Sequence, residues 1–398
     1  MSWVQDTATD FTDLLVRLND FLTGHGHSLP PIYTGTGTGT VSQVLGTATT
    51  VQETISVAFT STTDFTVTGS VTGSMGTGTV DSAFTHAKVS FLVSAGGTAW
   101  ASGDTISWVM TPHWESLRAS AGEYIWRAPG NANISAIYVG AKTFSNDATD
   151  YYNWRLQGFT GYQAGQAFDS QPGAIPDAVP PCLPLWNASI PYWFFANGQR
   201  VIIVAKVSTS YEMAYLGFMD GMYMSPGEYP YPLMVGGSMS FASNNVPGAT
   251  SISWRWSNTN SSQHANFWNS SFDSYNHASQ SSGKWRLRLV SGIWSAFTNE
   301  VNTYNSTFRS PLIWPFAHGM TGLRTNLDGS YPMIPIIPFI CDNLAANYNV
   351  YGEIGSIVHV TGDSNASENT VTLGRQVWLV VQNAYRTDSN QYCAVRMD

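Results

Sequence analysis

Charge is what this sequence has least of. Lys, Arg, Asp and Glu make up 11% of its 398 residues, against roughly 25% in an ordinary soluble domain. Basic residues are the scarcer half, 17 against 26 acidic ones, for a net charge of −9. Neutralising a phosphate backbone takes a basic face, so no nucleic-acid partner is expected. The densest basic run, Lys284-Trp285-Arg286-Leu287-Arg288, alternates with apolar residues and reads as the wet face of one strand.

Cysteine is nearly absent as well. Cys182, Cys341 and Cys393 are odd in number and far apart. A disulfide framework wants more, and a zinc site wants closely spaced pairs. Free thiols of a reducing cytoplasm are expected. Long apolar runs are also missing: Met333 to Ile340 is broken by Pro335 and Pro338 and is too short to span a bilayer. The opening residues, Met1-Ser2-Trp3-Val4-Gln5-Asp6, lack the basic start and apolar stretch of a signal peptide. Neither membrane insertion nor conventional secretion is expected.

Catalytic signatures are thin. Of eight histidines only His25 and His27 lie close together, and no HExxH occurs. Two ligands do not close a zinc site, and histidines at a helix end are ordinary partners of its dipole. The Gly-rich tracts lack the GxxxxGK[ST] of a phosphate loop. Asp147, Asp150, Glu212, Asp220 and Glu228 could form a glycosidase pair beside Trp platforms, since such pairs are defined in space. Most of them sit among turn formers, as loop and cap residues do. No catalytic, cofactor-binding or metal residue is assigned, no cofactor is expected, and the chain is read as a non-enzyme.

Aromatics are abundant instead: 15 Trp, 19 Tyr and 19 Phe, 13% of the chain. Thr, Ser, Asn and Gly take the places of Lys and Glu. A surface with few charges and many rings suits burial against partners. A secreted carbohydrate binder is the other class with this composition.

Three regions follow. Residues 1–28 are read as a helical arm. Phe11, Leu14, Leu15, Leu18, Phe21 and Leu22 fall on one helical stripe, with Thr9 or Asp10 as cap and Gly24 as stop. Such a stripe must dock on its own body or on a neighbour. Residues 29–115 are read as a Gly/Thr-rich β-module, with TGTGTGTV at 34–41 and MGTGTV at 75–80 as a loose internal duplication. Residues 116–398 are read as an aromatic-rich β-domain. Within it, residues 171–191 hold six prolines and are expected to cross as an extended, irregular segment. Val201–Val207 reads as a strand buried on both faces. Further strands are expected at Ile55–Phe59, Val89–Phe91, Ile106–Trp108, Tyr211–Phe218, Trp285–Val290, Ile357–Val360, Gln376–Val381 and Tyr392–Val395. The fold class is all-β, antiparallel and sandwich-like with long loops, preceded by one short amphipathic helix.

One string is distinctive. WRLQGFTGYQAGQAFDSQPG at 154–173 runs through Leu183-Pro184-Leu185-Trp186 to IPYWFFANG at 190–198. VIIVAKVST at 201–209, Tyr211 and YLGF at 215–218 follow, and GEYPYPLMVGGS at 227–238 closes it. Over roughly residues 100–240 the chain resembles structural proteins of tailed-bacteriophage virions, often tail components. That resemblance implies membership of the virion after synthesis in a bacterial cytoplasm, and contacts with copies of itself and with other virion proteins. The candidate interface residues are Phe11, Leu15 and Leu18 on the helix, Tyr229 and Tyr231, held extended by Pro230 and Pro232, and Trp254 and Trp256. A host-recognition module binding surface glycan and a virion-borne glycan hydrolase are the alternatives.

Overall fold

The structure, a computed structural model, describes residues 1–120, 122–130, 137–176, 181–221, 232–240, 265–269, 284–289, 292, 294–295, 310–315, 320, 322–342 and 347–398. It is all-β and antiparallel, with one α-helix, Phe11–Gly24, among the described residues. Asp10 caps that helix: its carboxylate accepts from the Thr12 and Asp13 backbone N–H groups at 2.7 and 2.8 Å. A cap of this kind contributes about 1 kcal/mol. The helix stops at Gly24, and His25 is already extended.

Residues 1–28 do not form a separate arm. Ser2–Ala8 is a strand, paired in full with Ile190–Ala196 at the edge of the central sheet. Arg17 ties the helix to it, bridging Asp13 at 2.9 Å and Asp6 at 2.6 Å. The central sheet continues through Arg200–Val207, Ser210–Phe218, Leu233–Gly237 and Lys284–Leu287.

This sheet is the middle of three layers. Against one face packs a second sheet: Glu115–Ser120, Glu123–Ala128, Ile137–Asn146, Tyr151–Phe159, Pro181–Leu185 and Met239–Ser240, in that order. Val201, Ile203, Ala205 and Val207 share that core with Trp126, Val139, Trp154 and the helix stripe. Against the other face pack the C-terminal strands, where Ile202 and Val204 meet Ile357, Leu379, Val381 and Val395. Strand geometry sends alternate side chains to opposite faces, so a strand with a core on each side must be apolar throughout. The apolar run at 201–205 has this cause, and the run breaks at Lys206, which is partly exposed and pairs with Glu368 at 2.5 Å. The C-terminal strands form a five-stranded sheet, ordered Ile334–Pro335, Ile357–Val360, Tyr392–Arg396, Gln376–Gln382 and Thr370–Leu373, and a three-stranded one beside it.

Three expectations need correcting. The proline-rich stretch contains a regular element, because Pro181–Leu185 pairs with residues 152–155 of the second sheet. Only Pro181 and Cys182 of this strand pair on the outer side as well, so Pro184 lacks its N–H where no ladder bond is needed. Lys284–Leu287 is not a strand with a wet face: Trp285, Leu287 and Arg286 are all buried, and Arg286 donates to the Ser295 carbonyl. The two Gly/Thr tracts are not structural copies. Residues 75–79 lie in the strand Gly73–Thr79, whereas residues 35–40 form a loop.

That loop explains its own composition. A side-chain carbon on Gly37 or Gly39 would come within 2.5 or 2.6 Å of the Trp100 indole, so the bare backbone lies directly on the ring. Asp104 anchors it, accepting from the Thr36, Gly37 and Ala101 N–H groups at 2.9–3.0 Å. The module has its own core of Val41, Ile55, Phe65, Phe91, Trp108 and neighbours between two small sheets. From the C-terminal sheet, Arg375 reaches over to it. Its guanidinium lies 4.6 Å from the Tyr33 ring centre and 5.4 Å from that of Trp100, and it donates to the Gly37 carbonyl.

Candidate functional site

The helix residues read as interface candidates are spent internally. Phe11, Leu15 and Leu18 are buried against the second sheet and the central sheet of the same chain. The reason is steric: the two sheets leave a trough, and the whole apolar stripe fills it. These three residues have nothing left to offer a neighbour. Tyr229, Tyr231, Trp254 and Trp256 lie outside the described residues.

The aromatic surplus is also largely internal. Trp100, Trp114, Trp126, Trp154, Trp268 and Trp285 are fully buried, and among the described residues Trp314 and Tyr385 are the exposed large aromatics. Buried indoles need a partner for their N–H. Trp114 donates to the Asn197 carbonyl at 2.9 Å, Trp126 to Asn19 at 3.1 Å and Trp154 to the Phe11 carbonyl at 2.8 Å.

A buried charge constellation lies where the C-terminal segment meets the central sheet. Arg200 opens its strand at the sheet's end, and its side chain is 3% exposed. Its guanidinium grips both carboxylate oxygens of Asp220, Nη1 to Oδ2 at 2.9 Å and Nη2 to Oδ1. Glu353 is tied to Asp220 by a reciprocal backbone pair, N–H to carbonyl at 3.0 and 2.9 Å. Gly355 closes the site. A side-chain carbon there would fall 1.3 Å from Arg200 Nη1 and 2.3 Å from Asp220 Oδ2. Only glycine lets the chain pass over the ion pair.

The two carboxyls are driven apart. Burial would raise the pKa of Asp220, but the Arg200 charge outweighs it and holds the group below its ordinary range. For Glu353, burial and then the Asp220 charge push upward against the pull of Arg200, and the net shift is up. A permanent carboxylate beside one that protonates easily is the division of labour of glycosidase pairs. Here both Asp220 oxygens are held by a guanidinium, which suits a clip better than a nucleophile.

The clip makes a prediction with two signs. Asp220→Ala strands a buried Arg200 and is expected to lower unfolding stability by about 2 kcal/mol, below the roughly 3–5 kcal/mol of a fully buried pair because Asp220 is half exposed. Glu353→Gln removes a like charge and leaves stability unchanged or slightly higher. Urea titration of both variants checks this, and equal losses from the two would contradict the geometry.

The other acids named from the sequence stay apart from the clip. Asp147 and Asp150 flank an exposed turn. Glu212 is fully buried and accepts from Ser210 at 2.6 Å, and Glu228 lies outside the described residues. Arg200, Glu353 and Gly355 were missed, because no spacing in the chain links them to Asp220. Cys182 and Cys393 are both buried. Among the described residues no group of three or more His, Cys, Asp or Glu is placed to hold a metal ion, and no helix is long and apolar enough to cross a membrane.

No family model matches the chain, and no curated protein matches it. Among solved structures it is similar to the crystal structure of Xanthomonas campestris FlgL, at 23% identity and a TM-score of 0.18. That match covers 23% of this chain and spans about a third, 32%, of the FlgL chain.

Proposed function

We propose that this chain is a non-enzymatic structural subunit of a tailed-phage virion, associated with the tail at its tip, baseplate or collar. It acts through contacts with copies of itself and with other virion proteins. The observation that carries the reading is the residue string from Trp154 to Ser238, which resembles that of such virion proteins. Charge scarcity supports it, since a surface with few ionic groups suits burial in an assembly. The aromatic surplus does not add support, because so much of it lies inside the molecule.

Two measurements test the reading. Light scattering on the purified chain is expected to give a closed homo-oligomer, and mass spectrometry of gradient-purified particles is expected to find its peptides. A monomer at high micromolar concentration, absent from particles, would overturn it. The glycan hydrolase is the rival with a specific observation behind it, the Asp220–Glu353 pair. A panel of bacterial surface polysaccharides would then show turnover that disappears in Glu353→Gln.

A further inference from the structure

The Gly/Thr-rich module joins the body through a neck of two chain crossings, residues 25–29 outward and 111–114 on return. The crossings are bound to each other. His27 and Ser28 pair with Thr111 and Met110, Thr111 Oγ1 donates to the His27 carbonyl at 2.9 Å, and the Leu29 N–H donates to Val109 at 2.9 Å. The body holds the neck through Trp114 N–H to the Leu22 carbonyl at 2.8 Å and Ser28 N–H to Ser2 Oγ at 3.0 Å.

Three of the chain's eight histidines fall in these few residues. His25 lies at the helix end with Nδ1 3.1 Å from the Gly46 carbonyl. His113 is half-buried on the return crossing, and its buried Nδ1 has no partner. His27 is fully buried at the centre, edge-on to Phe21 at 5.0 Å, and neither ring nitrogen makes a hydrogen bond of ordinary geometry. We propose that this neck is a pH-operated joint, in which a proton entering the His27 ring loosens the Gly/Thr-rich module from the body.

The electrostatics run in that direction. Burial above all pushes the His27 pKa down to about 3, the pull of the Leu22 carbonyl notwithstanding, and the neighbouring His25, His113 and Met1 amino group push it the same way. An opened neck returns the ring to an ordinary value near 6.5. The closed state thus binds the proton more weakly than the open one. Closure is at full strength above about pH 6.5 and weakens as pH falls from there toward 3. The Arg375 contact is made to two rings and a backbone carbonyl and contains no histidine, so the module stays tethered when the neck opens.

Site-resolved hydrogen exchange at pH 7.5 and pH 5, corrected for intrinsic rates, tests the joint. Opening of amides in the two crossings is expected to rise roughly thirty-fold at pH 5, the factor set by moving one pKa from 6.5 to about 3. Amides of Arg200–Val207 are expected to change far less, and His27→Phe is expected to flatten the response at the neck. An equal rise across the central sheet, or a rise that persists in His27→Phe, overturns the proposal. Should that variant fail to fold, imidazole NMR on the unaltered chain decides. A His27 ring that takes its proton while the neck amides stay protected refutes the joint, and one that takes it only as protection is lost supports it.

Discussion

Replacing Trp154 with alanine is expected to destabilise the chain by about 3–5 kcal/mol, the range for removing a large aromatic from a closed core. Its indole is fully buried between the second sheet and the helix, and its N–H donates to the Phe11 carbonyl at 2.8 Å. The substitution therefore opens a cavity and cuts the tie that seats the first helical turn. Trp154→Phe keeps most of the volume and loses only the donor, so about 1 kcal/mol is expected. Denaturant unfolding gives both numbers, and far-UV circular dichroism reports whether the helix frays first. A loss under 1 kcal/mol for the alanine variant would mean that the helix is not held where the structure places it.

Asn266→Ala is expected to cost as much, about 3–5 kcal/mol, for a different reason. Asn266 is a fully buried polar residue at the seam between the central sheet and the C-terminal strands. Its Oδ1 accepts from the Met213 N–H at 3.0 Å and from Ser238 Oγ at 2.7 Å. Its Nδ2 donates to the Tyr211 carbonyl at 2.9 Å and the Gln382 carbonyl at 3.3 Å. Its own N–H donates to Asn383, whose amide continues to Gln391. Alanine removes one side chain but leaves several buried partners unmet, each costing about 1–3 kcal/mol less whatever water recovers. Asn266→Asp, nearly the same shape, is expected to be no better, because it loses both donors and buries a charge. If aspartate restored stability, the network would be solvated rather than sealed.

How far this architecture could be read from residue order depends on the range of each interaction. The helix was legible because its stripe, its Asp10 cap and its Gly24 end are all local. The strands Arg200–Val207, Ser210–Phe218 and Gln376–Gln382 were legible because β-branched and aromatic runs declare themselves. The strand Ser2–Ala8 was not: it alternates weakly, and only its pairing with Ile190–Ala196 makes it regular. Pro181–Leu185 was hidden by a sound rule about proline that fails where the ladder on one side is short. Arg286 was misread because its ring-and-charge alternation looks amphipathic, while layers on both faces bury all of it.

The clip shows the same limit at a smaller scale. Asp220 was one of five acids named from the sequence, but its meaning comes from Arg200 on another strand and from Glu353 and Gly355 in the C-terminal segment. None of these is near it in the chain. The aromatic surplus was legible as a quantity and not as a location. Counting rings says how much apolar surface must be covered, and the choice between covering it by folding or by association is made by tertiary packing.

The middle sheet carries one more implication, about alignment. Most strands are kept from sliding by their own two-sided contrast, because a one-residue shift would put greasy groups in water and wet ones inside. Arg200–Val207 has no such contrast to lean on, since oily layers lie above and below it. What keeps it in step are its ends: the two-residue reversal at Ser208 and Thr209, with Ser208 at a φ of 57°, and the Arg200 anchor opposite. Lengthening that reversal by a single residue would slide the keel of the molecule, exchanging the side chains offered to both neighbouring layers in one stroke.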